Sequence, residues 1–292
     1  MPYTALFAGL TTVDIQYHVD EFPVANVKLK ADPPDILVGG PVTNAAVAFA
    51  KLNGTAHLLS SVGKNAFNEI ITEDFKETKL VHIDLAGGRK SAPVLATVVT
   101  SKYAGDRNIF THDPVTPKTD LDPKDLIDRI MPQIVMLDGF YPEFCIELAK
   151  VASERNIPVV LDCGSWKPQY EKMLSHAETV ICSADFIPPG CLTSIEAMQF
   201  LRDAGVINVA VSRGEESILF DGGKGINEIK VDKVEAVDTL GAGDFLHGAF
   251  CFYALKLGNF ENALRAASQL ATLSCKFKGT REWLNSNIVV KV

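Results

Sequence analysis

The chain has 292 residues, 47% of them hydrophobic and 22% charged, with a formal net charge of −8. That length suits one α/β domain spanning 1–292, and the apolar share supports a large buried interior. The negative balance argues against nucleic acid or an anionic membrane as the main partner, so an anionic ligand would need local help to bind. Cys145, Cys163, Cys182, Cys191, Cys251 and Cys275 form no C-x-x-C pair; buried thiols in a reducing cytosol explain them. No leader opens the chain and no apolar run approaches ~18 residues, so a cytoplasmic protein without a membrane partner is expected.

Taken in order, Ala5–Ala8 reads as an apolar strand, followed by strand-like Val13–Val19 and Ile36–Val38 with no helix between them. A small-residue helix covers Asn44–Leu52, then a strand His57–Ser61 and a helix Asn65–Phe75. Pro93–Ser101 and Asn108–Thr111 are again strands joined by a turn. The Pro/Asp/Lys-rich stretch Asp113–Lys124 is the best linker candidate. Strands at Ile134–Leu137, Pro158–Leu161, Thr179–Ile181 and Val209–Ser212 then alternate with helices at Pro142–Glu154, Lys167–Ser175 and Ile195–Ala204. A strand-like run from Ile229 to Val237 leads into helices Ala242–Leu257 and Phe260–Lys276. Such alternation predicts a parallel sheet with helices on both faces. Val159-Val160-Leu161 is apolar on both sides, as a doubly covered strand requires. Residues 11–38 and 91–113 break the pattern and predict a small antiparallel sheet standing off the main one.

Asp238-Thr239-Leu240-Gly241-Ala242-Gly243-Asp244 is the most informative stretch. A small-residue turn opening a helix leaves backbone N–H groups unpaired, where the helix dipole favours an anion. Gly241 and Gly243 allow the close approach, and Asp244 stands where it can take a proton from a hydroxyl attacking that anion. No Gly-Lys-Ser/Thr follows, so this is not a Walker loop, and it lies too late in the chain for a dinucleotide fingerprint. Near the N-terminus, Gly39-Gly40 leads into a helix with Asn44 in its first turn, and Asp14 follows the first strand. An Asp and an Asn so placed can hold vicinal hydroxyls, although Asn44 as a helix cap and Asp14 as a turn residue are the plainer alternatives. Asp138 ends a strand, where open α/β sheets bind ligands.

The N-terminal Gly-Leu-Thr-Thr-Val-Asp14, the Gly39-Gly40-x-x-x-Asn44 turn and Asp-Thr-x-Gly-Ala-Gly-Asp244 together resemble the ribokinase-type (PfkB) carbohydrate kinases. Val237 to Asp244 and Arg107-Asn108-Ile109-Phe110 are most similar to ketohexokinase-like members; Gly39-Gly40-Pro41 and Phe245-Leu246-His247-Gly248-Ala249 resemble sulfofructose kinases. The resemblance implies a ribokinase-like three-layer α/β/α sandwich whose second sheet, about 11–38 and 91–113, is a lid over the sugar and a homodimer contact. It implies an ATP- and Mg2+-dependent sugar kinase, ketose-like acceptors favoured, with Asp244 as base and Gly241, Ala242 and Gly243 as anion hole. Asp14, Gly39, Gly40, Asn44, Asp138 and Arg107, which follows the Gly105-Asp106 turn, would surround the sugar. Ser212, Gly214 and Gly279 would meet ATP, Asp185 the nucleotide and its metal, and Asp238 a monovalent cation such as K+. Cys182 stands where the family carries an Asn of its magnesium and phosphate motif. A nucleoside kinase of the same fold and a catalytically silent binding relative are the alternatives.

Overall fold

The computed structural model describes residues 2–101, 107–288 and 290; the expected Gly105-Asp106 turn lies outside them. The first third of the chain contains β1 (Thr4–Ala8), β2 (Thr12–Val19), β3 (Asp35–Gly39), α1 (Pro41–Lys51), β4 (Thr55–Ser60), α2 (Asn68–Glu77), β5 (Val81–Asp84) and β6 (Val94–Ser101). Next come β7 (Arg107–Phe110), α3 (Pro123–Ile130), β8 (Ile134–Leu137), α4 (Pro142–Glu154), β9 (Val159–Cys163), α5 (Tyr170–Leu174) and β10 (Thr179–Ser183). The last third holds α6 (Ser194–Asp203), β11 (Asn208–Ser212), β12 (Ile218–Asp221), β13 (Asn227–Ile229), α7 (Ala242–Leu257) and α8 (Phe260–Ser274).

The large sheet runs β13-β12-β11-β10-β9-β8-β1-β4-β5. Its strands from β11 to β5 are parallel, and β12 and β13 add an antiparallel edge. Successive strand residues face opposite layers. Phe7, Met136, Val160 and Ile181 join one core with α1, α7 and α8, while Leu6, Val135, Leu161 and Val180 join the other with α3, α4, α5 and α6. Both faces are covered, as a parallel sheet requires. The chain order reverses between β1 and β8, which are neighbours, so the crevice beyond their C-terminal ends is the switch point where ligands bind in such folds.

The second sheet runs β3-β2-β6-β7. Its outer pairs are antiparallel as expected, and its central pair, β2 with β6, is parallel. The reason is the path: between β2 and β6 the chain crosses into the main sheet and returns, which a hairpin could not do.

Three local expectations change. Of the run Ile229 to Val237 only Ile229 lies in a strand, as the last residue of β13. The remainder is largely exposed and charged, and it ends where the amides of Val237 and Asp238 both donate to the Cys275 carbonyl. The linker stretch closes with the start of α3, where the Asp122 side chain caps the Lys124 amide and Pro123 takes the first helical position. The helix expected over Lys167–Ser175 is the single short α5.

Helices α1 and α7 cross at Gly248 with no room between them. A Cβ there would lie 1.9 Å from the Ala45 carbonyl oxygen, a backbone atom that cannot swing away. Gly248→Ala should therefore destabilise the protein by about 3 kcal/mol, the overpacking penalty exceeding the ordinary helix preference for alanine. Urea unfolding measures this, and an unchanged midpoint would show that the helices can separate freely.

Candidate active site

The close crossing brings two helix N-termini to one place. Gly241 precedes α7 with φ +77°, the left-handed region that favours glycine, and it redirects the chain into the helix. Leu240 donates its amide to Asp238 Oδ1 at 2.9 Å, and Phe245 closes the first turn on the Gly241 carbonyl. The Ala242 amide turns back to the Thr239 carbonyl at 3.3 Å. The remaining amides at the helix start, Gly241 and Gly243 among them, face outward as helix geometry dictates. Gly243 is exposed, and a Cβ there would meet nothing within 4 Å. Open N–H donors at the positive end of a sixteen-residue helix suit a phosphate.

Asn44 lies in the first turn of α1, whose N-cap is Gly40, so Asn44 is not the cap. Its Nδ2 donates to Asp244 Oδ2 at 2.8 Å. Asp244 is half-buried, and its carboxyl is pushed up to about 7. Burial is the main cause and the nearby Asp162 carboxylate adds to it; the Asn44 hydrogen bond and His247 pull it back, and Asp14 raises it slightly. Asp14, on β2, is itself raised by burial, with the Thr12 hydroxyl and Arg281 opposing. Thr12 Oγ1 donates to Asp14 Oδ1 at 2.6 Å. Gly39 makes room for the other oxygen, since a Cβ there would lie 2.1 Å from Asp14 Oδ2. Gly40, at φ +103°, passes so close to the Leu10 carbonyl that only glycine fits.

Other expected site residues are placed differently. Asp138 is buried behind the site and serves as a bracket. It accepts N–H bonds from Leu10 at 2.8 Å, Phe140 at 3.1 Å and Val42 at 3.4 Å, joining the ends of β1 and β8 to the start of α1. Burial lifts it to about 6 against the pull of those amides and Lys167. Its oxygens thus face three backbone amides. Asp238 is a clamp as well: besides Leu240 it accepts from the Gly279 amide at 2.9 Å and Gln16 Nε2 at 3.2 Å. Arg107 crosses from β7 to place its Nη1 3.5 Å from Thr239 Oγ1. Ser212 bonds the Cys182 carbonyl at 3.3 Å, and Gly214 makes an exposed turn at φ +63°. Asp185 is exposed at the end of β10, while Cys182 is fully buried with its thiol toward the Ala210 carbonyl. Among the described residues no group of three His, Cys, Asp or Glu side chains is set to hold a metal. A Mg2+ carried by phosphates and water needs few protein ligands, and Asp185 is an exposed carboxylate that could reach one.

Sequence reasoning missed Arg281, Asp74, Asp162 and His247. His247, three residues beyond Asp244 and buried, faces the Gly243 carbonyl at 2.7 Å, the Ile181 carbonyl at 3.0 Å and Asp162 Oδ1 at 3.5 Å. It ties the start of α7 to the ends of β9 and β10. Arg281 pairs with Asp74 of α2 at 2.7 Å. No local motif marks either pair, because each joins segments far apart in the chain.

Known proteins share this architecture. A putative ribokinase from Agrobacterium tumefaciens superimposes with TM-score 0.83 at 22% identity, covering 98% of this chain and 100% of its own. Arabidopsis thaliana ribokinase, solved with ribose and ATP, superimposes with TM-score 0.78 at 20% identity, covering 98% and 99%. The fold is thus ribokinase-like, with a helix start of open amides beside a raised carboxyl. Residues 4–287 match the pfkB family of carbohydrate kinases, and the chain belongs to that family. In sequence it is 25% identical over 286 residues to a ribokinase of Arabidopsis thaliana, covering 93% of this chain and 76% of the relative. The protein is an ATP-dependent carbohydrate kinase. No helix among the described residues is long and apolar enough to cross a membrane.

The raised carboxyl has a consequence for stability. Because the folded protein holds the Asp244 proton more tightly than an unfolded chain, its contribution is fully present below the ordinary Asp value of about 4 and is lost as pH rises through the folded value. Asp244→Asn should gain thermal stability over the parent between about pH 4 and about pH 7 and hold that gain above it. Melting temperatures of both proteins across this range provide the check; a constant difference would mean that Asp244 titrates normally.

Proposed function

We propose that the enzyme transfers the γ-phosphate of ATP to a primary hydroxyl of a small carbohydrate, with a ketose or a pentose as acceptor. The observation that carries this reading is a carboxyl poised near neutral pH, Asp244, at the helix start that offers open amides to a phosphate. Asp244 takes the hydroxyl proton while the sugar oxygen bonds the γ-phosphorus and the bridging oxygen leaves with ADP. A base near neutrality combines the right protonation state with useful proton affinity. The amides of Gly241 and Gly243 stabilise the charge on the transferring group, and Ala242 joins them if its long bond to Thr239 opens. Asp14 and Asn44 hold sugar hydroxyls over the backbone of Gly39 and Gly40, and Asp138 keeps that floor in place. Arg107 closes over the acceptor from the lid. Ser212, Gly214 and Gly279 line the nucleotide, and Mg2+ near Asp185 would neutralise its phosphates. A monovalent cation such as K+ at Asp238 would share its oxygens with three N–H donors. A cytoplasmic location accords with six cysteines that form no disulfide.

The test is ADP formation from Mg-ATP across pentoses, ketoses, sugar acids and nucleosides. Asp244→Asn should lower kcat by about a thousandfold, the middle of the range a general base contributes, with ATP binding intact. In the parent, kcat/KM should fall below about pH 7. Substantial turnover in the variant would refute the assignment of the base, and a nucleoside as best acceptor would refute the carbohydrate reading.

We also propose that the lid sheet pairs two copies of the chain. Ile36, Ile15, Thr97 and Phe110 stand opposite one another across its four strands and so share one face, opposite to that of Asp14. Among the described residues Ile36 is 46% and Phe110 67% exposed, so the row, apolar but for Thr97, is left open. Sedimentation should show a dimer that Phe110→Lys converts to monomer; a monomeric parent would end the proposal.

A further inference from the structure

Arg281 follows α8 and reaches into the site, where all five of its N–H donors are occupied. Nε donates to Asp74 Oδ1 at 2.7 Å and Nη2 to Asp74 Oδ2 at 3.1 Å. Nη2 also donates to the Val38 carbonyl at 2.8 Å, and Nη1 to Asn44 Oδ1 at 2.9 Å and the Thr280 carbonyl at 3.1 Å. A guanidinium carries five N–H donors and no acceptor. No donor is left for a substrate anion, so its position beside Asn44 is its contribution.

That contribution is directional. An Asn amide can turn over, exchanging oxygen and nitrogen, and the two orientations differ little in shape. A group with donors only must face the oxygen, so Arg281 fixes Oδ1 toward itself and Nδ2 toward Asp244. The opposite orientation would set a carbonyl oxygen against the carboxylate, tolerable only if Asp244 were protonated. The geometry points to Arg281, held by Asp74, as a positioning residue that locks the Asn44 amide so that it donates to Asp244 and keeps that carboxyl available as a base. The inference rests on the role proposed for Asp244. The other groups facing Asp244 are Asp162 from β9, Asp14 from β2 and His247 from α7, and none of them holds the Asn44 amide.

The experiment follows the Asp244 carboxyl directly, by carbon-13 NMR titration of protein labelled at aspartate, with the resonance assigned by its loss in Asp244→Asn. Arg281→Met, Arg281→Lys and Asp74→Asn are compared with the parent. Arg281→Lys is decisive because it keeps a positive charge but not the fork that grips Asn44 and Asp74 together. The Asp244 midpoint should rise by about one pH unit in all three, the loss of one favourable hydrogen bond to the charged form. The acid limb of kcat/KM should move with it, so that turnover falls roughly fivefold near pH 7 and recovers at high pH. An unmoved midpoint in any folded variant of Arg281 overturns the inference, even if melting temperature drops. A rise in Arg281→Met that is absent in Arg281→Lys also overturns it, since charge alone would then be acting. If the midpoint moves but Asp244→Asn keeps its turnover, the positioning stands and the role of Asp244 as base falls.

Discussion

The close passage of α1 over α7 is the constraint from which the rest of the site follows. With Gly248 against the Ala45 carbonyl, the two helices approach at backbone distance, and their first turns meet beyond the C-terminal edge of the sheet. Two positive helix ends then face one volume. That concentration of dipole suits a phosphate, and it also makes a cluster of buried carboxylates tolerable. A bulkier residue at the crossing would separate Asn44 from Asp244 even though both side chains were unchanged.

The carboxylates divide into two kinds. Asp138 and Asp238 are filled by N–H donors and work as struts, one joining β1, β8 and α1, the other joining the anion loop to Gly279 and β2. Asp14 and Asp244 take the Thr12 hydroxyl and the Asn44 amide instead, and burial raises both, with the Asp162 carboxylate adding to it at Asp244. The same residue type therefore supplies rigidity in one place and proton affinity in another. Burial raises Asp138 as well, so what sets it apart is that three backbone amides tie its oxygens to the chain.

The second sheet is tied to this centre both by Val13 and Val38, which enter the main core, and by a set of polar contacts. Arg281 donates to the Val38 carbonyl, Gln16 reaches Asp238, Lys278 pairs with Asp35 at 2.7 Å, and Arg107 approaches Thr239. The Lys278 and Arg107 contacts are exposed and individually weak.

Much of this was legible in the chain itself. Alternating apolar strands and helices fixed the layered sheet, because burial on both faces leaves a periodic trace. The helix start at Gly241 to Asp244 was readable because its chemistry is local: glycine for backbone approach, an acid one turn in. The parallel pairing of β2 with β6 and the short strand at Asn227–Ile229 were not, since pairing depends on the route between strands. Least legible were Arg281 and Asp74, 207 residues apart, and the difference between Asp138, tied to three backbone amides, and Asp244, met by the Asn44 side chain. A side chain's partners and its loss of water come from segments distant in sequence, so only the folded chain assigns them.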